Sequence, residues 1–439
     1  MKYYDILIKN GIILKMDAAN SVIENGYIGI SGDTISTVGS GYPETSKAKK
    51  EIDAQGGIIL PGLINAHTHA AMTLFRGLAD DLPLMEWLNH YIFPVESRMD
   101  ADFVYTGSLL ACAEMIMSGT TCFCDMYLFE ESAARAAKEA SMRAIVGEVL
   151  YDFDSPNYGS IENGLAYTES LIRNWQDDPL VSIAVEPHSL FTCSPELLTA
   201  ANNLATKFGI PLVLHLAETM AELDEVKKRY GHSPVKHLES LGILGPHLIA
   251  DHCVHLSDKD IDVLAENGVS SVHNPESNMK LASGIAPVPE MIAKKIAVGL
   301  GTDGCASNNN LDLLAEMDTA AKLHKINTMD TTVMDSLTVM RMATIEGAKA
   351  LGMEREIGSL ETGKKADIII VDINKPHLTP LYNPLSHLVY AARGNDVSCS
   401  IINGTLVMEE RQLLTMDLQD VMDRARVKAS DVRKWIAES

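Results

Sequence analysis

The stretch Ile58–His69 ends in two histidines that are separated by one residue. It begins with the apolar run Ile58–Leu60, which is typical of a fully buried strand. Side chains two residues apart in extended backbone point to the same face, so His67 and His69 can direct both imidazoles at one point. Two neutral imidazoles that converge in this way suit a divalent transition metal, most often zinc. The pattern is weak by itself, because a surface turn with two unrelated histidines would look the same.

Further polar side chains lie at the ends of later apolar segments. Five of the fourteen histidines fall at predicted strand ends, and random placement would scatter them. This clustering therefore favours a metal site, and we expect His67, His69, His215 and Asp303 to be its ligands. Three imidazoles and one carboxylate leave room for one water, as in catalytic sites. A bound metal lowers the pKa of such a water towards 7.

The elements that must position these residues alternate between strand and helix, which predicts a parallel sheet with helical crossovers. The expected strands are 58–64, 120–125, 143–149, 181–186, 211–216, 247–252, 269–273 and 296–301. Eight β/α units over some 300 residues predict a (β/α)8 TIM barrel with active groups at the C-terminal strand ends. A doubly wound open sheet is the competing architecture, but no Gly-x-Gly-x-x-Gly follows the first strand.

The two ends of the chain have a different pattern. Short strands with tight turns, such as the hairpin signals Asn10-Gly11 and Asn403-Gly404, fill both flanks. We expect 1–57 and 359–439 to pair into one small β-sandwich around a barrel of residues 58–358. An amphipathic helix from Asp417 to Ser439 is expected to complete the second flank.

Composition narrows the class of protein. The chain has 439 residues, a formal net charge of −23 and a pI of about 5.0, which disfavours nucleic acid and anionic membranes as partners. Seven cysteines without framework spacing indicate free thiols in a reducing compartment. The acidic start of the chain lacks the apolar core of a signal peptide, so we expect a cytoplasmic protein. The oligomeric state stays open, with a homo-oligomer as one alternative.

The motifs taken together resemble the amidohydrolase superfamily, and within it the methylthioadenosine/S-adenosylhomocysteine deaminase group. The resemblance covers essentially the whole chain. Its most specific pieces are Asn65–Met72, Trp87–Glu96, His215–Thr219, His252–Leu256, His273–Asn278 and Gly301–Gly304. It implies a zinc-dependent aminohydrolase with one divalent metal per chain. A second metal is not expected, because Val181–His188 lacks the lysine that bridges the metals in binuclear members.

The resemblance also implies roles for individual residues. Glu218 would carry a proton from the attacking water to the purine N1, as a general acid–base with a suitable pKa can. His252 would orient the water, and Asp303 would also take up a proton as ammonia leaves. Glu96 and His188 would bind the sugar, since one carboxylate can accept from two vicinal hydroxyls. Met72 and Trp87 could line the apolar part of the pocket, although core packing explains either equally well.

We therefore expect hydrolytic deamination of adenine nucleosides with a modified 5′ end: 5-methylthioadenosine, 5′-deoxyadenosine or adenosine, with S-adenosylhomocysteine as a further candidate. Some relatives that accept S-adenosylhomocysteine carry two arginines, and an approximate alignment places Glu148 and Ser160 there. A carboxylate-bearing substrate would then lack a partner. A hydrolase of guanine, a pterin or a triazine is the first alternative. A non-catalytic binding protein on the same fold is the second, but such proteins typically lose metal ligands.

Overall fold

The computed structural model describes residues 2–42, 46–82 and 88–438. Its strands, numbered in chain order, are β1 (Lys2–Leu14), β2 (Val22–Ser31), β3 (Thr34–Ser40), β4 (Ser46–Asp53), β5 (Ile58–Pro61), β6 (Leu63–His69), β7 (Thr120–Tyr127), β8 (Arg143–Leu150), β9 (Val181–Ile183), β10 (Glu186–Pro187), β11 (Leu212–Leu216), β12 (Leu248–His252), β13 (Ser270–His273), β14 (Val298–Leu300), β15 (Asp303–Gly304), β16 (Ile368–Val371), β17 (Val397–Ile402), β18 (Thr405–Glu409) and β19 (Gln412–Leu413).

Helices occupy most of the connections between these strands. The α-helices are Phe93–Glu96, Ala101–Ser118, Glu130–Ala140, Ile161–Trp175, Pro195–Phe208, Met220–Tyr230, Pro234–Ser240, Asp258–Glu266, Pro275–Lys280, Val288–Ala293, Leu313–Thr328, Ser336–Met342, Ile345–Ala350, Pro384–Tyr390 and Leu418–Ala437. Short 3₁₀ turns cover Ala70–Phe75, Pro376–Leu378 and Gly394–Asp396, and a π-helical turn covers Leu88–Ile92.

The central strands form a closed parallel barrel. Strands β6, β7 and β8 pair in order, β9 and β10 both pair with β8, and β11 to β14 form a second run. Parallel bridges from Val185 to Leu212 and from Ser189 to His215 join the two runs at one seam. At the other seam β15 pairs with β6, through Asp303 with Thr68 and Gly304 with His69. The predicted α/β class, a (β/α)8 barrel with a β-rich domain from the two flanks, is confirmed; the strands of that domain pair as one nine-stranded sheet, where a small β-sandwich was predicted.

The first predicted barrel strand, 58–64, is wrong as a single element. Ile58–Pro61 pairs with β1 and β16 in the other sheet, and the barrel strand begins only at Leu63. Gly62 separates the two strands, and a Cβ at that position would lie 2.0 Å from Thr121 Oγ1. The chain therefore crosses from one sheet to the other at a residue without a side chain. The predicted domain boundaries at 57–58 and 358–359 stay predictions.

Both flanks of the chain contribute to one nine-stranded sheet, in the order β19-β18-β17-β16-β5-β1-β2-β3 with β4 beside β1. Its isoleucine-rich core includes Ile8, Ile28 and Ile368, all fully buried. A buried ion pair joins this sheet to the barrel: Arg143, at the start of β8, donates through Nε to Asp367 Oδ2 at 2.7 Å.

The last helix packs against the barrel helix Ala101–Ser118, where the rings of Phe103 and Trp435 lie 5.7 Å apart. Asp417 caps its N-terminus by accepting from the backbone N–H groups of Gln419 and Asp420, which satisfies two of the donors that every helix start leaves free. The predicted helix thus forms as Leu418–Ala437, and Ser439 lies outside the described residues. Within the described ranges, no helix has the length and apolarity that a membrane span requires.

Candidate active site

The side chains that could take part in catalysis or metal binding lie together at the C-terminal ends of the barrel strands. His67 and His69 end β6, His215 lies in β11, His252 ends β12, and Asp303 begins β15. The backbone leaves extended geometry there, since His252 (φ 67°) and Asp303 (φ 58°) both lie in the left-handed region. Such conformations cost non-glycine residues about 1–3 kcal/mol each and cluster at functional sites. The strand ends are thus bent so that side chains turn inwards.

Two groups of possible ligand atoms share His67. One contains His67, His69 and Asp303, the other His67, His215 and His252, and within each group the atoms lie within 4.8 Å of one another. The ring centroid of His67 is 4.9 Å from that of His69, 5.0 Å from that of His215 and 5.5 Å from that of His252. The structure thus gathers all four predicted ligands and also His252, although His215 and Asp303 belong to different groups.

The Nδ1 atom of each of the three predicted histidine ligands faces an acceptor. His69 Nδ1 donates to the carbonyl oxygen of Met126, and His215 Nδ1 donates to that of His188 at 2.8 Å. His67 Nδ1 lies 3.0 Å from Asp251 Oδ2. Because these contacts occupy Nδ1, each ring has Nε2 for a metal, and second partners of this kind fix the tautomer in metal sites. The donor set fits a divalent transition metal such as zinc.

One carboxylate oxygen of Asp303 faces this cluster, and the other is held by hydrogen bonds. Oδ1 lies 3.1 Å from His69 Nε2 and 3.6 Å from His67 Nε2. Oδ2 accepts from the hydroxyls of Ser277 at 2.6 Å and Ser307 at 2.9 Å. Burial by itself would raise the pKa of Asp303, but the contacts with His67 and His69 outweigh it and hold the pKa well below its usual range. The carboxylate is therefore ionised at neutral pH.

The protonation of the histidines differs with their surroundings. Burial lowers the pKa of His215 well below its usual value, and the neighbouring histidines lower it further. Burial also acts to lower the pKa of His67, but the contacts with Asp251 and Asp303 outweigh it and raise the pKa well above the usual value. A ligand imidazole must be deprotonated at the coordinating nitrogen, so a metal held by His67 would displace a proton from this ring.

Glu218 lies just beyond the end of β11, where Ala217 (φ 53°) turns the chain. Its carboxylate is half-buried, and Oε1 accepts from the Ser283 hydroxyl at 3.5 Å. The buried Glu222 fixes this turn, since its two oxygens accept from the backbone N–H groups of Ala217 at 3.0 Å and Glu218 at 2.9 Å. Glu218 thus lies on a hydrogen-bonded turn, three residues after His215.

His252 is buried beside His67, and its orientation is set from outside the cluster. Its Nδ1 donates to Asn278 Oδ1 at 2.9 Å. Asn278 comes from the short helix Pro275–Lys280, which follows β13. This contact leaves Nε2 of His252 available for a water molecule in the cluster.

The two predicted sugar contacts flank the cluster. Glu96 Oε1 accepts from the Tyr127 hydroxyl at 2.7 Å, and the Tyr127 ring lies 6.0 Å from that of His69. Burial raises the pKa of Glu96, while Tyr127 and the charge of His69 act in the opposite direction. On the other side, His188 Nδ1 lies 2.9 Å from Thr192 Oγ1, and burial lowers the pKa of His188 to about 4. His188 is therefore neutral at physiological pH.

Glu148 and Ser160 have other roles than the sequence suggested. Glu148 is fully buried and accepts from the backbone N–H of Glu130 at 2.9 Å and from Asn157 Nδ2 at 2.8 Å. Ser160 is exposed, precedes the helix Ile161–Trp175 and donates to Glu162 Oε2 at 2.7 Å. Both side chains are engaged at helix starts.

The structure also locates the two residues considered for the apolar part of the pocket. Met72 is buried in a hydrophobic cluster that includes Ala71 and Phe75, and its Sδ would lie 2.6 Å from a Cβ placed on Gly304. Core packing therefore accounts for Met72. Trp87 lies outside the described residues.

Several site residues were not predicted from the sequence. They are Asp125, Tyr127, Asp251, Ser277 and Ser307. Asp125 Oδ1, for example, accepts from the backbone N–H of Ala70 at 2.6 Å and so fixes the turn after His69. The sequence did indicate Asp251, because an acid inside the apolar strand β12 requires a buried partner. No sequence pattern indicated Ser277 or Ser307, since their contacts with Asp303 are made between separate loops.

A model of the amidohydrolase family matches residues 58–407 of the chain. The chain belongs to the amidohydrolase family. The match spans the whole barrel and reaches into the second flank of the β-rich sheet, so the predicted membership is confirmed.

Individual amidohydrolases extend the similarity over the full length. The chain is 58% identical, over 98% of both sequences, to a 5-methylthioadenosine/S-adenosylhomocysteine deaminase from Syntrophobacter fumaroxidans. It is 47% identical, again over 98% of both, to a 5′-deoxyadenosine deaminase from Methanosarcina acetivorans. A crystal structure of an adenosine deaminase from Xanthomonas campestris with bound zinc superposes with a TM-score of 0.97 at 38% identity, covering 99% of both chains. The predicted class of enzyme, a hydrolase with a histidine-rich metal site, is confirmed.

Proposed function

We propose that the enzyme hydrolytically deaminates adenine nucleosides with a modified 5′ end, giving the inosine analogue and ammonia. The observation that carries the proposal is the convergence of His67, His69, His215 and Asp303 beside Glu218 and His252, with Glu96 at the flank. The names of relatives at 47–58% identity support the same reaction. In this reaction water adds to C6, the C6–N bond breaks and ammonia leaves.

The four predicted ligands would hold one divalent metal, with zinc as the favoured ion. When bound, the metal lowers the pKa of water and polarises the reacting atoms. The protein contributes three imidazole nitrogens and the Asp303 Oδ1 carboxylate, a set that leaves one position open. The ionised state of Asp303 and the low pKa of His215 suit both residues to this task.

Three side chains would move or hold the protons of the reaction. Glu218 accepts a proton from the attacking water and delivers it to N1 of the purine, which makes C6 more electrophilic. His252 orients the water through Nε2, because Asn278 holds its Nδ1. Asp303 receives the second proton and passes it to the departing amino group. General acid–base groups of this kind contribute about 10²–10⁴-fold to the rate.

Glu96 and His188 would bind the sugar. A carboxylate can accept about four hydrogen bonds, and the Tyr127 hydroxyl uses one of these positions on Glu96 Oε1. Two vicinal ribose hydroxyls can therefore still donate to Glu96. Because the pKa of His188 is about 4, the residue is a neutral hydrogen-bonding partner at pH 7. Contacts with the sugar position C6 for attack, and such positioning supplies part of the catalysis.

The loop after β8 favours an apolar 5′ substituent. Tyr151 and Phe153 stack with ring centroids 3.9 Å apart at an interplanar angle of 11°. Burial raises the pKa of Tyr151, and the negative charge of Glu96 raises it further, which supports a position of this loop in the neighbourhood of Glu96. Residues 151–160 contain Asp152 and Asp154 but no lysine or arginine. A methylthio or deoxy group fits these surroundings better than the carboxylate of a homocysteine, because like charges repel.

The protein acts in the cytoplasm under this proposal. All seven cysteines are buried free thiols, which suits a reducing compartment.

A substrate panel tests the proposal. The metal-loaded enzyme should convert 5-methylthioadenosine, 5′-deoxyadenosine or adenosine with higher kcat/KM than S-adenosylhomocysteine, and free adenine should be poor. The change from adenine to hypoxanthine absorbance would be followed together with ammonia release. Turnover of guanine, a pterin or a triazine with none of any adenosine derivative would replace the proposed substrate class by its first rival. No turnover of any of these by metal-loaded enzyme would favour a binding protein.

A further inference from the structure

Asp251 is a buried acid that the reaction described above does not use. It lies in β12 directly before His252, and its side chain is fully buried. Among the described residues, neither carboxylate oxygen has a hydrogen-bond partner of good geometry. Its Oδ2 nevertheless lies 3.0 Å from His67 Nδ1, a fully buried ion-pair contact. A buried carboxylate requires such a partner, because removal from water costs several kcal/mol per charge.

The contact lies on the outer edge of the His67 ring. The opposite nitrogen, Nε2, faces Asp303 Oδ1 at 3.6 Å. Asp251 is therefore directed at the ring of a predicted ligand and not at the shared centre of the cluster.

His67 differs in this respect from the other two histidines. The Nδ1 atoms of His69 and His215 donate to main-chain carbonyl oxygens, of Met126 and His188. Those acceptors belong to the backbone of neighbouring strands and are neutral. The acceptor for His67 is an ionisable side chain on the strand across the barrel, so its charge as well as its geometry acts on the imidazole.

We propose that Asp251 is a positioning residue that directs Nε2 of His67 at the metal and strengthens metal binding through this imidazole. The proposal rests on the ligand role of His67 proposed above. A carboxylate on the outer nitrogen fixes the tautomer and makes the ligand more basic, and removing such a partner typically lowers metal affinity about 10–100-fold.

The test is the metal affinity of Asp251→Asn, measured by competition with a chelator for zinc. The amide keeps the size of the side chain but removes its charge, and zinc should bind about 10–100-fold more weakly. The absorption spectrum of the cobalt-substituted variant should also change, because the ring of His67 would no longer be held in one orientation. Unchanged zinc affinity and an unchanged cobalt spectrum would overturn the proposal, even if the variant unfolded more readily.

Glu186 provides the matched control. It is an equally buried acid in β10, and its Oε1 accepts from the Cys124 thiol at 3.9 Å. Because this contact is not made with a ligand histidine, Glu186→Gln should leave zinc affinity within about threefold of wild type. An equal loss in both variants would overturn the specific role of Asp251. His215→Ala tests the ligand set independently, so failure of that set is distinguishable from failure of the Asp251 proposal.

A measurement on the wild type covers the case in which Asp251→Asn does not fold. In the zinc-loaded protein with ¹⁵N-labelled histidine, the ring of His67 should carry its proton on Nδ1 and not on Nε2. The reason is that Nδ1 lies beside the Asp251 carboxylate, whereas Nε2 is directed at the shared centre of the cluster. Absence of a proton on His67 Nδ1 would overturn the proposal.

Discussion

Replacing Glu96 by alanine should selectively damage the use of nucleosides. Glu96 Oε1 accepts from Tyr127, and within the described part of the chain this is the side-chain hydrogen bond that the structure gives it. The remaining acceptor capacity is what two vicinal sugar hydroxyls would use. A hydrogen bond to a charged group contributes about 1.5–3 kcal/mol. With about 1.36 kcal/mol per tenfold change in rate, kcat/KM for a nucleoside should fall about 10- to 150-fold for each lost bond.

Free adenine serves as the internal reference in this experiment. It has no sugar, so its rate, which we expect to be low, should change by less than about twofold in Glu96→Ala. Tyr127→Phe is the matched control, because it removes the hydroxyl that contacts Glu96 but keeps the carboxylate. It should retain most of the preference for nucleosides. The rates of the wild type, Glu96→Ala and Tyr127→Phe would be measured by the absorbance change, with the same metal content in each protein.

Two results would refute the reasoning. An equal loss for the nucleoside and for adenine would mean that Glu96 supports the structure of the site rather than the sugar. An unchanged rate for the nucleoside would remove Glu96 from substrate binding altogether.

Three other perturbations have defined outcomes. Glu218→Gln should keep its metal but lose about 10²–10⁴-fold in kcat, since an amide cannot carry the proton, and a rate within a few-fold of wild type would exclude the role. Asp367→Ala leaves the buried Arg143 without its carboxylate partner, so the free energy of unfolding should fall by about 3–5 kcal/mol in urea titrations. The control is Arg173→Ala, which removes an exposed ion pair and should cost less than about 1 kcal/mol. Burial raises the pKa of Glu148 from 4.5 to about 7, so the native state loses stability as pH rises through this range. Glu148→Gln should therefore gain in stability relative to wild type between pH 5 and pH 8, and a constant difference would contradict this.

The barrel and most of the cluster could be predicted because their signals are local. A histidine or an acid at the end of an apolar strand is visible in the sequence, and parallel strands bring such ends to one face. His67, His69, His215, His252 and Asp303 were found in this way.

Other features depend on contacts that no local pattern encodes. Ile58–Pro61 reads as part of a continuous apolar run, yet its neighbours β1 and β16 draw it into the other sheet. Glu148 shares its strand with residues near the pocket, but the start of a helix fixes its direction. Asp251 and Tyr127 acquire their meaning only when strands far apart in sequence lie side by side.

Metal removal and titration of 5-methylthioadenosine deaminase activity test the central claim most directly. The stripped enzyme should be inactive, and activity should return in proportion to added zinc until one equivalent per chain is bound. His67→Ala combined with His69→Ala, like His215→Ala alone, should neither bind zinc tightly nor recover activity. Full activity of the stripped enzyme, or unchanged zinc content in the variant without His67 and His69, would contradict the account.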